Sequence, residues 1–516
     1  MLSEKSSIEK DQGSRQNVNL EKNLEQVIRL VRDTRVLGKE PDLSVVPDGD
    51  VRPVPAVGKW LFMSDAFALL AAFACSGVIA WLLNEYVLLN KFQGLMNQAT
   101  AGQFAIYAEL GVVALLWLDA KGHYRQRLPF WETIRHILII SFAGFVIGGF
   151  IQFAVKSLSS RLWLGFSWVF FAVFLYAGRA LVRHILHRQG KWQIPAVVFG
   201  GGPTAKAAVR ALESEPEMGF RIVRVVPAAK LQELSKPSDW RRFMRAFDAS
   251  YLFLALEGEE LEQNRSALKA MVRERLPYSI LPPWLGLPLC GLSSHHFMMH
   301  DVMLLHDTNR LQLPLSRLMK RTFDLVVASA GLIVLSPLFL FVFLMVRRDG
   351  GKAFYRQPRV GLNGKEFMCY KFRSMRDNAG AVLIRYLENN FHAAAEWKKF
   401  QKLKNDPRIT RTGRFLRRTS IDELPQLINV VKGEMSLVGP RPFMPGQEIF
   451  YGDDFDLYKS ARPGITGPWQ VSGRNVLTIQ QRVALEAWYV RNWSFWMDII
   501  ILMKTIPALL KKDVAY

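Results

Sequence analysis

The chain has 516 residues, half of them hydrophobic, and a formal net charge of +22 at pH 7. Length allows two or three domains, and long apolar stretches between basic ones favour a membrane protein over a soluble one. Nucleic acid is the less favoured partner of the positive charge, because apolar stretches separate the basic ones and no DNA-binding motif is present. The three cysteines, Cys75, Cys290 and Cys369, are scattered, which argues against disulfides and a zinc site.

Residues 1–58 form a polar and charged N-terminal tail that does not resemble a signal peptide. The tail ends in a stretch with three prolines, Pro47, Pro53 and Pro55. We expect it to be mostly disordered. The alternative is a short amphipathic helix, since Leu24, Val27, Ile28 and Val31 follow a helical spacing.

Residues 59–190 contain four apolar segments, each near the length that crosses a bilayer. The segments are about Leu61–Leu83, Phe104–Leu118, Ile134–Val155 and Leu162–Leu181. Basic residues gather between the second and third segments and after the fourth, whereas the loop after the first contains only Glu85 and Lys91. The positive-inside rule therefore predicts a four-helix transmembrane bundle with both ends in the cytoplasm.

Residues 191–310 combine strand and helix patterns and predict a cytoplasmic α/β domain. The buried-strand pattern Ile194–Phe199 runs into three glycines, and further strands are predicted at Arg221–Val226 and Tyr251–Leu256. The glycine turn is a variant of the dinucleotide fingerprint, but the acid expected about 20 residues further on is missing. We expect a Rossmann-like domain without a bound dinucleotide. Its role would be regulation or the formation of a homodimer.

The segment Leu325–Val346 carries no charge and is long enough to span a membrane. Basic residues stand on both sides of it: Lys320, Arg321, Arg347 and Arg348. These flanks favour both ends on the same side, and Ser336-Pro337 interrupts the middle, where proline removes a helix hydrogen bond. On this pattern alone, a re-entrant hairpin and a proline-kinked transmembrane helix stay equally open.

The most informative motif is Thr419–Gln426, which contains the adjacent acids Asp422 and Glu423 at a predicted helix start among basic residues. Carboxylates beside fixed cations at a helix N-terminus suggest chemistry on phosphate. An N-cap role for Asp422, with a capping box from Ser420 and Glu423, is an alternative that is compatible with catalysis. Further motifs are Tyr370–Met375, Asn405–Thr410, Met435–Pro442, Arg462–Gly467 and Gln470–Arg474.

Taken together, these motifs resemble the bacterial sugar transferases, phosphoglycosyl transferases that move a hexose 1-phosphate from a UDP-sugar to a polyprenyl phosphate. The resemblance covers residues 311–516, and the upstream layout is similar to the long, galactose-transferring form of the family. It implies an α/β catalytic domain anchored by a re-entrant helix hairpin at residues 325–346, broken at Ser336 and Pro337. It also implies a multi-pass protein of the bacterial inner membrane whose catalytic domain, on the cytoplasmic face, starts a surface polysaccharide.

The same resemblance implies roles for single residues. Asp422 would attack the β-phosphate of the UDP-sugar, release UMP and form a covalent intermediate that undecaprenyl phosphate resolves. Glu423 would hold Mg²⁺ or assist proton transfer. Arg417 and Arg474 match basic positions that the family uses around phosphate. Weaker candidates for phosphate contacts are Lys371, Arg373, Arg408 and Arg441.

Three points stay open on the sequence. Galactose is favoured by the layout, but glucose and N-acetylated hexoses use the same motifs. Pro468 after Gly467 departs from the family pattern and would alter a loop near Arg474. A non-catalytic membrane regulator is the alternative class, although Asp422 and Glu423 are intact.

Overall fold

A computed structural model of the chain describes residues 50–86, 98–155, 161–283, 292–296, 303–306, 311, 313–376, 378–400, 403, 406–472 and 477–510. The chain divides into two compact units, Met1–Leu285 and Gly286–Tyr516. The predictions for the N-terminal tail up to residue 49 lie outside the described residues.

The first unit begins with the four predicted apolar helices. Their bounds are α1 Gly58–Tyr86, α2 Gln98–Ala120, α3 Phe130–Ala154 and α4 Arg161–Arg188. Each is long and apolar enough to cross a membrane, which confirms the four-helix prediction. Buried aromatic and small side chains from several helices form one core, which includes Ala72, Phe73, Tyr107, Trp163 and Trp168.

A buried polar network joins three of these helices at the end where the chain leaves the bundle. Asp65 of α1 accepts hydrogen bonds from Arg179 Nη2 of α4 at 2.5 Å and from the Tyr124 hydroxyl at 2.9 Å. Arg179 Nη1 lies 2.7 Å from His123 Nδ1. His123 Nε2 lies 3.0 Å from Nδ1 of His136 in α3. Because the charges are matched and hydrogen-bonded, the network can exist in a low-dielectric environment.

After the bundle the chain forms a four-stranded parallel sheet in the order β2-β1-β3-β4. The strands are β1 Ile194–Phe199, β2 Phe220–Val226, β3 Tyr251–Leu254 and β4 Tyr278–Ile280. Four α-helices accompany them: α5 Pro203–Ser214, α6 Pro237–Ala246, α7 Gly258–Gln263 and α8 Arg265–Arg273. The predicted strands agree with the observed ones to within two residues, and a parallel α/β domain is confirmed.

The glycine turn after β1 is occupied by a side chain of the domain itself. Glu257 accepts a hydrogen bond from the backbone N–H of Thr204, in the first turn of α5, at 3.2 Å. A Cβ at Gly202 would lie 2.4 Å from the same carboxylate. An internal anion therefore stands where a dinucleotide fold would place phosphate.

The second unit contains short sheets and many helices. Its strands are β5 Ser293–His296, β6 Met303–His306, β7 Phe354–Val360, β8 Glu366–Phe372, β9 Ser436–Val438 and β10 Gly464–Thr466. The pairs β5-β6 and β7-β8 are antiparallel, and β9-β10 is parallel. Its α-helices are α9 Pro314–Val334, α10 Ser336–Arg348, α11 Ala379–Glu388, α12 Phe391–Phe400, α13 Arg411–Thr419, α14 Gln426–Lys432, α15 Phe455–Lys459, α16 Pro468–Val471, α17 Ile479–Arg491 and α18 Phe495–Leu510.

The uncharged segment Leu325–Val346 is bent. Helices α9 and α10 meet at Leu335 with an angle of 63° between them, and the Ser336 hydroxyl donates to the Ile333 carbonyl at 2.7 Å. The break therefore lies at the predicted Ser336-Pro337 step. Pro337 in the first turn of α10 needs no N–H partner there, so the proline fits the start of the second helix.

The residues at both ends of the uncharged segment pack against the same α/β body. At the α9 end, Lys320 Nζ donates to the Val438 carbonyl at 3.0 Å, and Asp324 accepts from the Leu437 N–H at 3.1 Å. At the α10 end, Val342 and Val346 are buried in a cluster with Ala353, Phe372 and Leu416. At the bend, Leu332 and Leu335 also pack against this body, whereas other apolar side chains are exposed, among them Ile333 and Val334.

Candidate functional site

The site begins where β8 ends. The chain from Lys371 to Arg376 runs beside residues 406–410. The two segments form an antiparallel bridge between Met375 and Ile409, flanked by hydrogen bonds from Arg376 N–H to the Arg408 carbonyl and from Thr410 N–H to the Ser374 carbonyl. Two motifs that are distant in the sequence thus become one surface.

Helix α13 starts on this surface in a very close contact. Thr410 caps the helix by accepting a hydrogen bond from the Gly413 N–H at 2.9 Å. A Cβ at Gly413 would lie 1.9 Å from the Ser374 carbonyl oxygen, so the position requires glycine. The close packing aims α13 so that Arg417 Nε donates to the Ser374 hydroxyl at 2.9 Å.

The acidic pair lies in the turn that follows α13. Ser420 has a left-handed backbone conformation (φ 57°), and Ile421–Glu423 forms a single 3-10 turn before α14 begins at Gln426. The α-helix therefore starts three residues after Glu423 and not at the acids, where a helix start was predicted. The capping box considered for Ser420 and Glu423 is not formed, because Ser420 is outside the extended conformation of an N-cap and its side chain makes no cap hydrogen bond.

Asp422 is buried with 9% of its surface exposed, and Glu423 pairs with Lys371 Nζ at 2.7 Å. Burial, together with the neighbouring charge of Glu423, raises the pKa of Asp422 to about 6, although Lys371 and Arg417 act in the opposite direction. A carboxyl group of this kind is mostly ionised at pH 7 but more basic than an ordinary aspartate. Strongly perturbed acids beside fixed cations are typical of reactive sites.

A second carboxylate, Asp406, holds one of the predicted basic residues. It accepts three hydrogen bonds from the Arg408 guanidinium, the shortest of them 2.6 Å long. These hydrogen bonds and the charges of Arg408 and Arg417 outweigh burial and lower the pKa of Asp406. Arg408 is therefore close to Arg417 but already neutralised.

The structure brings together five of the predicted site residues: Asp422, Glu423, Lys371, Arg408 and Arg417. Two others make different contacts. Arg373 is buried and donates to the Val346 carbonyl at the end of α10, at 3.3 Å. The guanidinium of Arg441 lies 4.9 Å from the centre of the Trp469 ring. Arg474 and the loop beyond Pro468–Val471 in which it stands are outside the described residues.

Sequence reasoning missed Ser374 and Asp406, which orient Arg417 and Arg408. Both lie within motifs that were identified by their basic residues. Their position next to those basic residues in the sequence is the signal that could have indicated them. It also missed Glu486, a buried acid on α17 that accepts the Arg441 N–H at 3.0 Å and the Tyr451 hydroxyl at 2.6 Å. Burial raises the pKa of Glu486 to about 7 against these hydrogen bonds.

The donor set at Asp422 and Glu423 suits a magnesium ion. Mg²⁺ usually takes one or two protein carboxylates and completes its coordination with substrate phosphates and water. Within the described residues, no group of three or more His, Cys, Asp or Glu side chains could hold a metal by itself. The charge of Glu423 raises the proton affinity of Asp422, and a cation shared by the two carboxylates would offset that repulsion, so the residues fit this metal.

Comparison with known proteins identifies two sequence families in the chain. The sequence profile of the bacterial sugar transferase family matches residues 315–512, which contain the whole site. A second profile, described as a CoA-binding domain, matches residues 119–272.

Three relatives are informative. An undecaprenyl-phosphate galactose phosphotransferase of Salmonella typhimurium is 42% identical over 418 residues, covering 79% of this chain and 87% of the relative. A UDP-galactose-lipid carrier transferase of Erwinia amylovora is 39% identical, covering 83% and 93%. A UDP-glucose:undecaprenyl-phosphate glucose-1-phosphate transferase of Caulobacter vibrioides is 38% identical, covering 39% and 72%.

Proposed function

The chain belongs to the bacterial sugar transferase family, and we propose that it transfers galactose 1-phosphate from UDP-galactose to undecaprenyl phosphate, releasing UMP. It is a membrane-bound sugar-phosphate transferase of the polyprenyl-phosphate type. Galactose is preferred because two of the three relatives that match about four fifths of the chain carry galactose in their names, and the name of the third specifies no sugar. The glucose relative matches only 39% of the chain, so glucose is the second candidate.

The observation that carries the mechanism is the buried Asp422 carboxylate beside Lys371, Arg417 and Glu423. A carboxylate oxygen of Asp422 attacks the β-phosphorus of the UDP-sugar, and the bond from this phosphorus to the bridging oxygen breaks. UMP leaves with the electron pair of that bond, and the sugar phosphate stays on Asp422 as an acyl phosphate. A phosphate oxygen of undecaprenyl phosphate then attacks the same phosphorus, which frees Asp422 and forms the diphosphate-linked lipid.

The cations of the site have distinct tasks in this scheme. Arg417, held by Ser374, and Lys371 stand where they can neutralise phosphoryl oxygens of the donor. Glu423 would hold Mg²⁺ together with the donor diphosphate, and a bound Mg²⁺ supplies charge neutralisation for the departing UMP. Since Lys371 pairs with Glu423, donor binding would let this lysine exchange its carboxylate partner for phosphate.

We further propose that α9 and α10 form a re-entrant hairpin. A straight span would carry its two ends about 30 Å apart, across the hydrocarbon core. Here Asp324 near one end and Val346 near the other contact the same α/β body, and the bend exposes apolar side chains. This arrangement favours a catalytic domain on the cytoplasmic face of the inner membrane, where a soluble donor and the lipid phosphate can meet. Starting a surface polysaccharide is the corresponding role.

The test is UMP release from UDP-galactose by detergent-solubilised protein with Mg²⁺. The covalent route predicts release of one UMP per protein without acceptor and continuous turnover after undecaprenyl phosphate is added. Release that requires the acceptor from the first turnover would instead indicate direct transfer, with Asp422 as a base. UMP release with UDP-glucose and not with UDP-galactose would replace galactose by glucose as the proposed sugar, and the proposed reaction steps would stay the same.

A further inference from the structure

A cavity of about 1100 Å³ lies in the first unit, between the apolar helices and the parallel sheet. Its walls include the first residue of each strand: Ile194, Phe220, Tyr251 and Tyr278. The glycine turn follows the last residue of β1 and therefore lies at the other edge of the sheet, where Glu257 occupies the helix start. The cavity is thus separate from the place where a nucleotide would bind to this fold.

The lining of the cavity is positively charged. Five basic side chains and two acidic ones, Asp119 and Glu217, line it. Three of the arginines have carboxylate partners: Arg125 pairs with Asp119, Arg179 with Asp65, and Arg183 with Glu217. The other two basic residues are Lys59 and Arg127.

Arg127 has no carboxylate partner among the described residues. Its guanidinium stacks on Trp192, with 3.8 Å between the guanidinium carbon and the ring centre, and Nη2 donates to the Trp192 carbonyl at 3.3 Å. Its Nη1 is buried and has no hydrogen-bond acceptor in the described part of the chain. Burial lowers the pKa of Arg127 to about 10, so the side chain still carries its charge at neutral pH. A buried charged donor of this kind favours an anionic ligand.

Apolar side chains of the membrane helices also line the cavity. Phe62 and Met63 of α1 and Leu116 of α2 line it, and they are 45%, 60% and 64% exposed. These side chains lie on helices that are apolar enough to span a membrane. The lining therefore combines apolar side chains that suit hydrocarbon with basic side chains that suit phosphate, and basic pockets at the ends of membrane helices are suited to anionic lipid headgroups.

We propose that this cavity binds the phosphate headgroup of an anionic membrane lipid, with Arg127 as a phosphate ligand and the lipid chain against α1 and α2. Arginine suits this task because its planar fork can donate two hydrogen bonds to one phosphate. The stacked Trp192 holds the guanidinium in place, so little conformational freedom is lost on binding. The lipid would connect the sheet domain to the bilayer without using the catalytic unit.

The experiment uses full-length protein that has been stripped of lipid in neutral detergent. Dihexanoyl phosphatidic acid is titrated by calorimetry, with dihexanoyl phosphatidylcholine and inorganic phosphate in separate arms. We expect binding of phosphatidic acid and weak or undetectable binding of the other two. Equal affinity for inorganic phosphate would overturn the lipid assignment, as would displacement of phosphatidic acid by coenzyme A or UMP.

Two variants locate the site. Arg127→Gln should weaken phosphatidic acid binding about tenfold, the size of a lost charged hydrogen bond. Arg183→Gln should weaken it at least as much, because Glu217 would then face the cavity without its partner. Arg188→Gln is the matched control, since Arg188 is exposed on α4 and does not line the cavity. If Arg127→Gln fails to fold, Arg183→Gln decides, and wild-type affinity in the folded variants overturns the proposal.

Discussion

The two units each bury an aspartate, and the comparison between them separates a structural acid from a reactive one. Asp65 in the helix bundle is fully buried and accepts hydrogen bonds from Arg179 and Tyr124. Asp422 is 9% exposed and stands beside a second acid, Glu423. The cations nearest to Asp422 bind other groups: Lys371 pairs with Glu423, and Arg417 donates to Ser374.

The two aspartates are buried to a similar extent. The difference between them lies in which groups the neighbouring cations bind. A carboxylate with matched donors is held in place by their hydrogen bonds, and those donors lose their partner when it is removed. A carboxylate next to a like charge keeps a raised proton affinity and can bind an incoming phosphorus or metal. We therefore expect the first to govern stability and the second to govern activity.

The largest expected effect is on turnover in Asp422→Asn. Loss of the nucleophile should reduce UMP release by at least about 10⁴-fold. Thermal stability at pH 7 should stay equal or rise slightly, because the folded-state pKa of about 6 exceeds the ordinary value and the ionised group costs stability there. Asp453→Asn, at an exposed acid of the same unit, is the matched control and should retain activity. A scaffold protein would tolerate both changes.

For Asp65→Asn we expect the main effect on stability and not on turnover. Removing one member of a buried ion pair leaves Arg179 without its counter-charge and should cost about 3–5 kcal/mol. Thermal unfolding in detergent would report the loss as a lower melting temperature. Asp119→Asn breaks the pair with Arg125, whose side chain is 75% exposed, and should cost at most about 1 kcal/mol. Equal melting temperatures for the two variants would contradict the comparison.

Gly413→Ala should affect stability and activity together. The added methyl group would overlap the Ser374 carbonyl, which forces α13 away and moves Arg417 and Asp422. Overpacking of this kind costs about 1–3 kcal/mol, and a small displacement of the nucleophile should slow UMP release as well. Gly380→Ala is the control, since nothing lies within 4 Å of a Cβ at that position. Normal activity in Gly413→Ala would show that the close contact does not position the site.

The smallest expected effect concerns pH. Asp422 must be ionised to attack, so UMP release in a single turnover should fall as the pH drops through about 6. Glu423→Gln removes a charge that raises this pKa and should move the acid limb down by about one pH unit. The position of the limb is compared between the variant and the wild type, and not its height, so a lower rate in the variant does not change the comparison.

Lys371→Met should move the acid limb of the pH profile in the opposite direction. Lysine 371 lowers the pKa of Asp422, so its removal should move the acid limb to higher pH. Glu388→Gln, at an exposed acid on α11, should leave the limb where it is. Limbs that move in the same direction in Glu423→Gln and Lys371→Met would exclude Asp422 as the titrating group.

Local sequence patterns predicted some elements well and others poorly. The strand Ile194–Phe199 has the same bounds in the structure, because a run of apolar residues ending in glycines defines it locally. The helix start at Asp422 was wrong. A left-handed Ser420 and a 3-10 turn delay α14 to Gln426, and this conformation depends on how α13 packs against Ser374. The weaker phosphate-site candidates included Arg373 and Arg441, for which the structure shows other contacts.

The sequence by itself determined the four apolar helices, the break at Ser336-Pro337 and the motifs of the family. Each of these follows from residues that are close along the chain, such as a run of about 20 apolar residues or a proline within it. Only the tertiary structure decided which cations meet Asp422. Lys371 and Glu423 are 52 positions apart, and their contact requires β8, the bridge between Met375 and Ile409, and the close packing at Gly413 to form together. Such contacts depend on packing between distant segments, for which local residue patterns contain no information.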